Sequence, residues 1–314
     1  MIVNHEMNLG QVLTQLGDYL AATECFEEAL TLYRELADKS GVEWNLFHLA
    51  HLSFRVGDYL RAMELYQENL AIMNELGNRW ASAHTLNKLG NLYLAKGDLE
   101  AAHRVYAECL AVRRVVAKDP EVAGALTKLG TVARHRGQLA VSWVFFEEAQ
   151  IKVRGGATKA DVFEGLGSLV LEEGDIEQAR VHFETSLALT NEAGDRRRAA
   201  SALYGLGRTA LELRELDLAK EQLRESLPLR VELEERHAIA ESLEAYAQLA
   251  ASSGELVESG VFWRAATDLR QAIGAARLLA DGERYRRLTA SSEPGNESKV
   301  TLEEAVALAL GENR

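Results

Sequence analysis

Hydrophobic residues recur along the chain every three or four positions, the spacing of amphipathic α-helices. The predicted helices come in pairs that are joined by short turns. Residues 89–109 show the unit most clearly, since LGNLYLAKGDLEAAHRVYAEC reads as helix, Gly-Asp turn and helix. Each hairpin has one apolar face, which a neighbouring hairpin must cover. No alternating run of β-branched residues indicates a strand. The pattern therefore predicts an all-α chain of stacked helical hairpins.

Turns equivalent to Gly97-Asp98 recur along the chain. They stand at Gly17-Asp18, Gly57-Asp58, Gly137-Gln138, Gly174-Asp175, Arg214-Glu215 and Gly254-Glu255. The step is 40 residues throughout, except for 37 residues between positions 137 and 174. The glycine is expected to take a left-handed conformation at the helix end, and the following Asp to cap the next helix. Seven copies at nearly one spacing predict a repeat architecture.

Three further positions keep step with the turn. Seven residues before it stand Gly10, Ala50, Gly90, Gly130, Gly167, Gly207 and Ala247. Five residues after it stand Ala22, Ala62, Ala102, Ser142, Ala179, Ala219 and Ser259. Nine residues after it stand Phe26, Tyr66, Tyr106, Phe146, Phe183, Leu223 and Trp263. Small residues in both helices allow the backbones to approach closely, and the large residue fills the space beside that contact.

This arrangement resembles the tetratricopeptide repeat in its long-helix form, over about residues 3–270. The resemblance implies a right-handed superhelical solenoid of about seven hairpins followed by C-terminal capping helices. We expect the solenoid to span residues 1–273, and the capping helices, with a mobile loop near 291–299, to span 274–314. The expected repeats are 3–41, 42–81, 82–119, 120–157, 158–196, 197–236 and 237–273. Fold alone does not specify function.

The tail carries a narrower resemblance. FWRAATDLRQAIGAARLLADGERYRRL, followed by TLEEAVALAL, is similar to the end of the sensor domains of bacterial signal-transduction ATPases that regulate transcription. The match covers about residues 260–310. No GxxxxGK[ST] phosphate loop is present. If the resemblance holds, this chain is the ligand-sensing part of such a regulator and carries no ATPase. Thr301 and Glu304 are expected to form a capping box before the last helix.

Charge argues against two classes of partner. The chain has 35 Lys and Arg against 48 Asp and Glu, a net charge of −13. Nucleic acids and anionic membranes are bound by basic surfaces, so we expect this chain to bind neither directly. The basic run Arg196-Arg197-Arg198 is expected in a solvated loop. Without a signal segment or an 18-residue apolar run, and with Cys25 and Cys109 as free thiols, a cytoplasmic location is expected.

Catalytic chemistry is not indicated. The adjacent glutamate pairs lie in helices, where neighbouring side chains diverge by about 100° and do not share a site. These pairs are Glu147-Glu148, Glu172-Glu173, Glu234-Glu235 and Glu303-Glu304. The 8 histidines show no HExxH spacing, and no GxSxG motif occurs. We expect no enzyme activity, no cofactor and no metal.

The repeat register places part of each first helix on a concave groove. In repeats two to four this strip is basic, aromatic and rich in amides. The candidate ligand-binding residues are Phe47, His51, Arg55, His84, Asn87, Asn91, Lys128, Arg134 and His135. Asn amides can pair with a peptide backbone as donor and acceptor, and Lys and Arg hold carboxylates. The alternative is an unused surface of ordinary solvated residues. Repeats five to seven are more acidic and could suit a basic partner, through Glu164, Glu172, Glu212, Glu241 and Glu244.

Several functions stay open. The first hypothesis is a non-catalytic scaffold that senses a protein, a peptide or a small-molecule effector within a multidomain transcriptional regulator. The second is a free-standing adaptor that binds a partner peptide. The third is a self-assembly module, because Val3, Met7, Val12 and Leu16 of the first helix would face no neighbour. That exposed face indicates either a fragment of a longer protein, a homodimer through the first repeat, or a frayed start.

Overall fold

The computed structural model describes residues 2–16, 18–116, 118–153, 155–277 and 300–312. These residues form fifteen helices and no strand. The all-α prediction is therefore confirmed. The expected helix over 281–290 and the expected mobile loop near 291–299 lie outside the described residues. No helix among those described is both long enough and apolar enough to cross a membrane.

The chain divides into two compact units, and unit 1 comprises Met1–Ala117. Three hairpins stack in order along the chain within it. Their helices are α1 (Ile2–Leu16), α2 (Tyr19–Glu35), α3 (Lys39–Val56), α4 (Tyr59–Glu75), α5 (Arg79–Ala95) and α6 (Leu99–Val116). Each helix packs most extensively on its hairpin partner.

Unit 2 comprises Lys118–Arg314. Its four hairpins are α7 (Asp119–His135) with α8 (Leu139–Lys152), α9 (Gly156–Glu173) with α10 (Ile176–Ala193), α11 (Arg196–Glu212) with α12 (Leu216–Glu232), and α13 (Arg236–Ser253) with α14 (Leu256–Ala272). A last helix, α15 (Leu302–Leu310), packs on α12, α13 and α14. The Thr301 hydroxyl accepts from the Glu304 backbone N–H, and the Glu304 carboxylate accepts from the Thr301 N–H, so the predicted capping box is confirmed.

The turns take the predicted backbone conformation. Gly57, Gly97, Gly137, Gly174 and Gly254 all have positive φ, whereas Gly17 lies outside the described residues. The turn that lacks glycine keeps the same conformation, with a φ of 60° at a residue that carries a side chain, Arg214. The turn geometry is therefore set by the hairpin as a whole, and this position carries local strain.

Capping of the second helix of each hairpin depends on the length of the side chain that follows the turn. The carboxylates of Asp18, Asp58, Asp98 and Asp175 each accept from the backbone N–H three residues later, at 2.9–3.1 Å. Gln138, Glu215 and Glu255 occupy the same position without a side-chain capping bond. The extra methylene displaces the oxygen from the free amides of the first turn.

The predicted contact between a small and a large residue holds in most hairpins. A Cβ added at Gly10, Gly90 or Gly207 would lie closer than 3.0 Å to Phe26, Tyr106 or Leu223 of its own hairpin. These large side chains have no more than 3 % of their surface exposed. In these three hairpins the close approach of the two helices thus depends on glycine, whereas the second and seventh hairpins have Ala50 and Ala247 at this position.

The seventh hairpin departs from the register. Trp263 was predicted to fill its core, but the buried ring there is Phe262, which lies 5.6 Å from the Tyr246 ring. Trp263 is half-buried, and the Arg277 guanidinium lies 3.6 Å from the centre of one of its rings. An aromatic residue at each of two consecutive positions allowed this shift, because either ring could reach the core.

A second repeated contact joins the two helices of a hairpin. A side chain twelve residues after the turn donates to a backbone carbonyl 26 residues earlier. The pairs are Asn69 to Glu43, Cys109 to Ala83, Ser186 to Ala160 and Ser226 to Ala200, at 2.7–3.2 Å. Burial raises the pKa of the Cys109 thiol. Cys25 and Cys109 are both free thiols, and both were expected to be buried, but only Cys109 is, because Cys25 is half-buried.

The basic run is not a loop, which corrects the prediction. Arg196 begins α11, and the carboxylate of Asp195 caps the helix by accepting from the Arg198 backbone N–H. The three arginines contact four different carboxylates, one of which is the capping Asp195 itself, 2.5 Å from Arg198. Arg196 pairs with Glu232 at 2.5 Å, Arg197 with Glu235, and Arg198 with Asp161 at 2.7 Å. The run therefore braces α11 against its neighbours.

Candidate functional site

In unit 1, α3 places a half-buried aromatic group on the predicted strip. The Phe47 ring lies 6.0 Å from that of Tyr66 in an edge-to-face arrangement. One turn away, Trp44 and His48 are in ring contact at 3.9 Å between centroids. The His48 ring also stacks on Phe26 of α2, at 5.4 Å. Helical spacing of four residues brings Trp44 and His48 together.

His48 is a neutral imidazole at physiological pH. Burial is the main cause that lowers its pKa to about 4, and the charge of Lys88 on α5 lowers it further. The sequence prediction did not include His48. The signal available was its position four residues after Trp44, which places both rings on one helical face.

The other two candidates on α3 lie toward its C-terminal end. The Arg55 guanidinium lies 4.8 Å from the centre of the Tyr19 ring, a cation–π contact across to α2. His51 is half-buried. Arg55 thus combines a charge with an apolar support that fixes its position.

Helix α5 carries the three remaining candidates of unit 1, and all are half-buried. The ring of His84 lies 4.5 Å from that of Trp80. The oxygen of the Asn91 amide accepts a hydrogen bond from the Tyr106 hydroxyl at 2.7 Å. The Asn87 amide makes no hydrogen bond with any described residue. One amide is therefore held in place, and the other is available to a ligand.

The electrostatic character of α5 is distinctive. Between Arg79 and Ala95 it contains no Asp or Glu, and it includes Arg79, His84 and Lys88. By contrast, each of the first helices α7, α9, α11 and α13 of unit 2 contains at least one carboxylate. The α5 surface, defined here as His84, Asn87, Lys88 and Asn91, thus offers hydrogen-bond donors within an acidic protein.

In unit 2, two of the three candidates are committed to internal contacts. Arg134 forms an ion pair with Glu172 of α9, and one of its Nη atoms lies 2.9 Å from Nε2 of His135. Burial, followed by the charge of Arg134, lowers the pKa of His135 well below its usual value. Nδ1 of His135 is buried without a hydrogen-bond partner among the described residues. Lys128 is half-buried and acts electrostatically on Glu164.

The acidic side chains expected to attract a basic partner are mostly neutralised by arginines. Glu244 receives two hydrogen bonds from Arg270, at 2.7 and 2.9 Å, and one from Arg277. Glu241 lies 3.7 Å from Arg230, which is 2 % exposed. The sequence prediction considered only the first helix of each repeat. It therefore did not include these arginines, which lie in second helices and after α14.

Glu164 is the exception in that group. Burial raises the pKa of its carboxyl, and nearby Asp161 raises it further, while Lys128 and Arg230 oppose the change. Glu241 also raises this pKa, and burial is the largest cause. The described residues also hold no group of three or more His, Cys, Asp or Glu placed to bind a metal.

Consecutive helical hairpins with a shared register define a protein of the helical-repeat class. A family model described as tetratricopeptide repeat matches residues 2–75, 42–115 and 158–232, more than half of the chain. The chain belongs to the tetratricopeptide repeat family. No curated protein matches the sequence significantly.

Solved structures of this fold include a gene regulator and a quorum sensor. RapI in its apo form aligns with a TM-score of 0.69 at 12% identity, covering 87% of this chain and 99% of that chain. A Rap conjugation gene regulator of the plasmid pLS20, solved in complex with the Phr* peptide, aligns at 0.68 and 15% identity, covering 90% and 75%. The quorum sensor NprR from B. thuringiensis aligns at 0.55 and 14% identity, covering 85% and 87%. At these identities the likeness establishes the fold.

Proposed function

We propose that this chain is a non-catalytic scaffold that binds an extended peptide, and that it acts as the sensing domain of a bacterial transcriptional regulator. The observation that carries the proposal is the α5 surface, where amides and cationic groups are presented without any carboxylate on the same helix. Such donors match the carbonyl groups of an extended backbone. A peptide-bound relative of the same fold, the pLS20 regulator, supports this class of ligand.

The proposed binding residues are those of the strip in each unit. On unit 1 they are Phe47, His51, Arg55, His84, Asn87 and Asn91, and on unit 2 they are Lys128, Arg134 and His135. Asn87 is the strongest candidate, because its half-buried amide makes no hydrogen bond with a described residue. Arg134 and His135 would have to release existing contacts, so we rank them below the α5 residues.

Replacement of Asn87 and Asn91 by Ala tests the proposal. Peptides captured from the source cells by the wild-type chain would be identified by mass spectrometry and then titrated as synthetic peptides. We expect the double variant to bind at least tenfold more weakly. The matched control is Asn74→Ala on α4, an exposed amide outside the strip. Equal binding by both variants would remove the α5 surface from the function.

The regulator context rests on the tail resemblance and has its own test. We expect the complete polypeptide to contain a nucleotide-binding module and a DNA-binding helix-turn-helix. Sequencing of the gene in its source decides this point. A complete polypeptide without either module would favour the free-standing adaptor.

A self-assembly module is the second candidate, supported by exposed leucines in the first hairpin. Leu16 and Leu20 each have 76% of their surface exposed, and Val12 has 50%. Apolar side chains grouped in this way commonly mark an interaction surface. Sedimentation at rising concentration tests it: dimers that Leu16→Glu abolishes would favour assembly, and a persistent monomer would exclude it.

A further inference from the structure

The hydrogen bond between Tyr106 and Asn91 links the packed core of unit 1 to the α5 surface. Tyr106 has 0% of its surface exposed, and its ring lies against Gly90. Burial raises the pKa of its phenol well above the usual value, so the hydroxyl keeps its proton and donates. The acceptor is the amide oxygen of Asn91, at 2.7 Å. The position of that oxygen is therefore set from inside the protein.

The preceding hairpin provides a natural comparison. Tyr66 occupies the same register as Tyr106 and is 1% exposed. Its hydroxyl is buried without a hydrogen-bond partner among the described residues. Position 51, the equivalent of position 91, holds a histidine. The polar link is thus particular to the third hairpin and does not follow from the repeat pattern, whose large position needs only an apolar ring.

An Asn amide can donate and accept, and its orientation decides which it presents. A hydrogen bond that holds the oxygen toward the core directs the NH2 group away from Tyr106. The neighbouring groups on α5 reinforce this polarity, since Lys88 is cationic and the helix contains no Asp or Glu. At Asn91 and Lys88 a ligand therefore finds donors, which oxygen acceptors satisfy.

We propose that Tyr106 is a positioning residue that fixes Asn91 as a hydrogen-bond donor, so that the α5 surface selects peptide segments rich in carbonyl and carboxylate oxygens. This inference rests on the proposed peptide-binding function and names the ligand chemistry of the same surface. An acidic extended peptide satisfies it better than a basic one, because carboxylates add acceptors and complement Lys88.

The positioning role is tested without a ligand. Asn side chains labelled with ¹⁵N give separate NH2 signals in an NMR spectrum. Tyr106→Phe removes the hydroxyl and retains the ring, so the Asn91 NH2 signals should shift and broaden as the amide begins to rotate. Tyr66→Phe is the matched control, since it deletes a hydroxyl that holds no amide, and it should leave these signals unchanged. Unchanged Asn91 signals in Tyr106→Phe would overturn the positioning role.

The ligand chemistry is tested with two synthetic probes. Both are acetylated and amidated octapeptides, one alternating Glu with Ala and the other alternating Gln with Ala. We expect the Glu peptide to shift the Asn87 and Asn91 NH2 signals saturably, and to bind more tightly than the Gln peptide. Tyr106→Phe should weaken that binding about three- to tenfold, the contribution of one hydrogen bond. Tyr66→Phe should bind as the wild type does.

The two proposals fail in different ways. Preference for the Gln peptide, or equal loss of binding in Tyr66→Phe, would overturn the ligand selection. Binding of neither octapeptide, with Asn91 still released by Tyr106→Phe, would overturn the selected ligand while supporting the positioning role. Failure of the broader function would show instead as equal capture of cellular peptides by the wild type and by the double Asn variant. Thermal unfolding of both Phe variants shows whether each one is still folded, so that a loss of binding is not caused by unfolding.

Discussion

Gly90 and Gly260 both lie inside helices, yet their surroundings are opposite. A Cβ at Gly90 would collide with the Tyr106 ring, whereas nothing lies within 4 Å of a Cβ at Gly260. We predict that Gly90→Ala lowers the free energy of unfolding by about 1–3 kcal/mol through overpacking. Gly260→Ala should raise it by up to about 1 kcal/mol, because Ala favours the helix. Urea unfolding followed by circular dichroism measures both, and an equally tolerated Gly90→Ala would contradict the close approach of α5 and α6.

The pKa of His48 predicts a pH-dependent stability. In the unfolded chain the imidazole titrates near 6.5, and in the fold burial lowers this to about 4. Between these values the unfolded state binds a proton that the folded state does not, so stability is complete above pH 6.5 and is lost as the pH falls toward 4. The wild type should lose on the order of 3 kcal/mol more than His48→Gln over this range. Denaturant titrations at several pH values provide the measurement, and parallel pH profiles would contradict it.

The sequence predicted residues that belong to the repeat and missed those that depend on a particular neighbour. Gly90 and Tyr106 follow from the register, because the packing of two helices requires a small and a large residue at these positions. The bond from Tyr106 to Asn91 does not follow, because the repeat pattern requires only a large ring at position 106 and leaves the residue at position 91 free to vary. The same reason hid His48, whose environment depends on Phe26 of the preceding hairpin.

At the scale of the helix, the capping rule distinguishes Asp from Glu. Asp58→Ala removes a capping bond to the Arg61 backbone N–H, so we predict a loss of about 1 kcal/mol in unfolding free energy. Glu215 makes no capping bond but pairs with Arg180, so it is a poor control. Gln138→Ala serves better, because Gln138 is exposed and makes no capping bond, and it should change stability by less than about 0.5 kcal/mol. Thermal unfolding compares the two, and equal losses would contradict the rule.

The turn at Arg214 offers a stabilising substitution. Its left-handed backbone is unfavourable for a residue with a side chain, so Arg214→Gly should raise the unfolding free energy by about 1 kcal/mol. The reciprocal control is Gly137→Ala, where φ is 71° and a new Cβ meets no atom within 4 Å. It should lower stability by a similar amount through backbone strain alone. Destabilisation by Arg214→Gly in urea titrations would show that the Arg side chain contributes more than the strain.

A Gly-Asp pair in the sequence predicts where one helix ends and the next begins. The basic run follows such a pair, Gly194-Asp195, which the repeat register did not include. Gly194-Asp195 has the same pattern as the turns within hairpins, with positive φ at Gly194 and capping by Asp195. The run Arg196-Arg197-Arg198 falls at the boundary between two expected repeats, and this position led to the prediction of a loop. The capping residue Asp195 predicts the start of α11 correctly, because its carboxylate binds the backbone N–H of Arg198.

For the whole molecule, the net charge of −13 conceals how charges are distributed. In unit 2 the pair of Glu244 with Arg270 has side chains only 12% and 6% exposed, whereas Glu232 and Arg196 are more than half exposed. Glu244→Gln removes the carboxylate that pairs with the buried Arg270 guanidinium and should cost about 3 kcal/mol. Glu232→Gln should cost at most about 1 kcal/mol. Calorimetry on both variants tests this, and similar midpoints would mean that Arg270 finds another partner.

Two aromatic rings in unit 2 each serve two hairpins. Phe146 fills the space in front of Gly130 of its own hairpin and of Gly165 in the next, and Phe183 does the same for Gly167 and Gly205. Because each of these two rings has a partner on both sides, the boundaries between the fourth, fifth and sixth hairpins are not natural joints of the core. Recombination that removes or duplicates one full period preserves these pairings wherever the breakpoints fall. Homologues of this chain should therefore differ in length by multiples of about 40 residues, with breakpoints scattered through the helices.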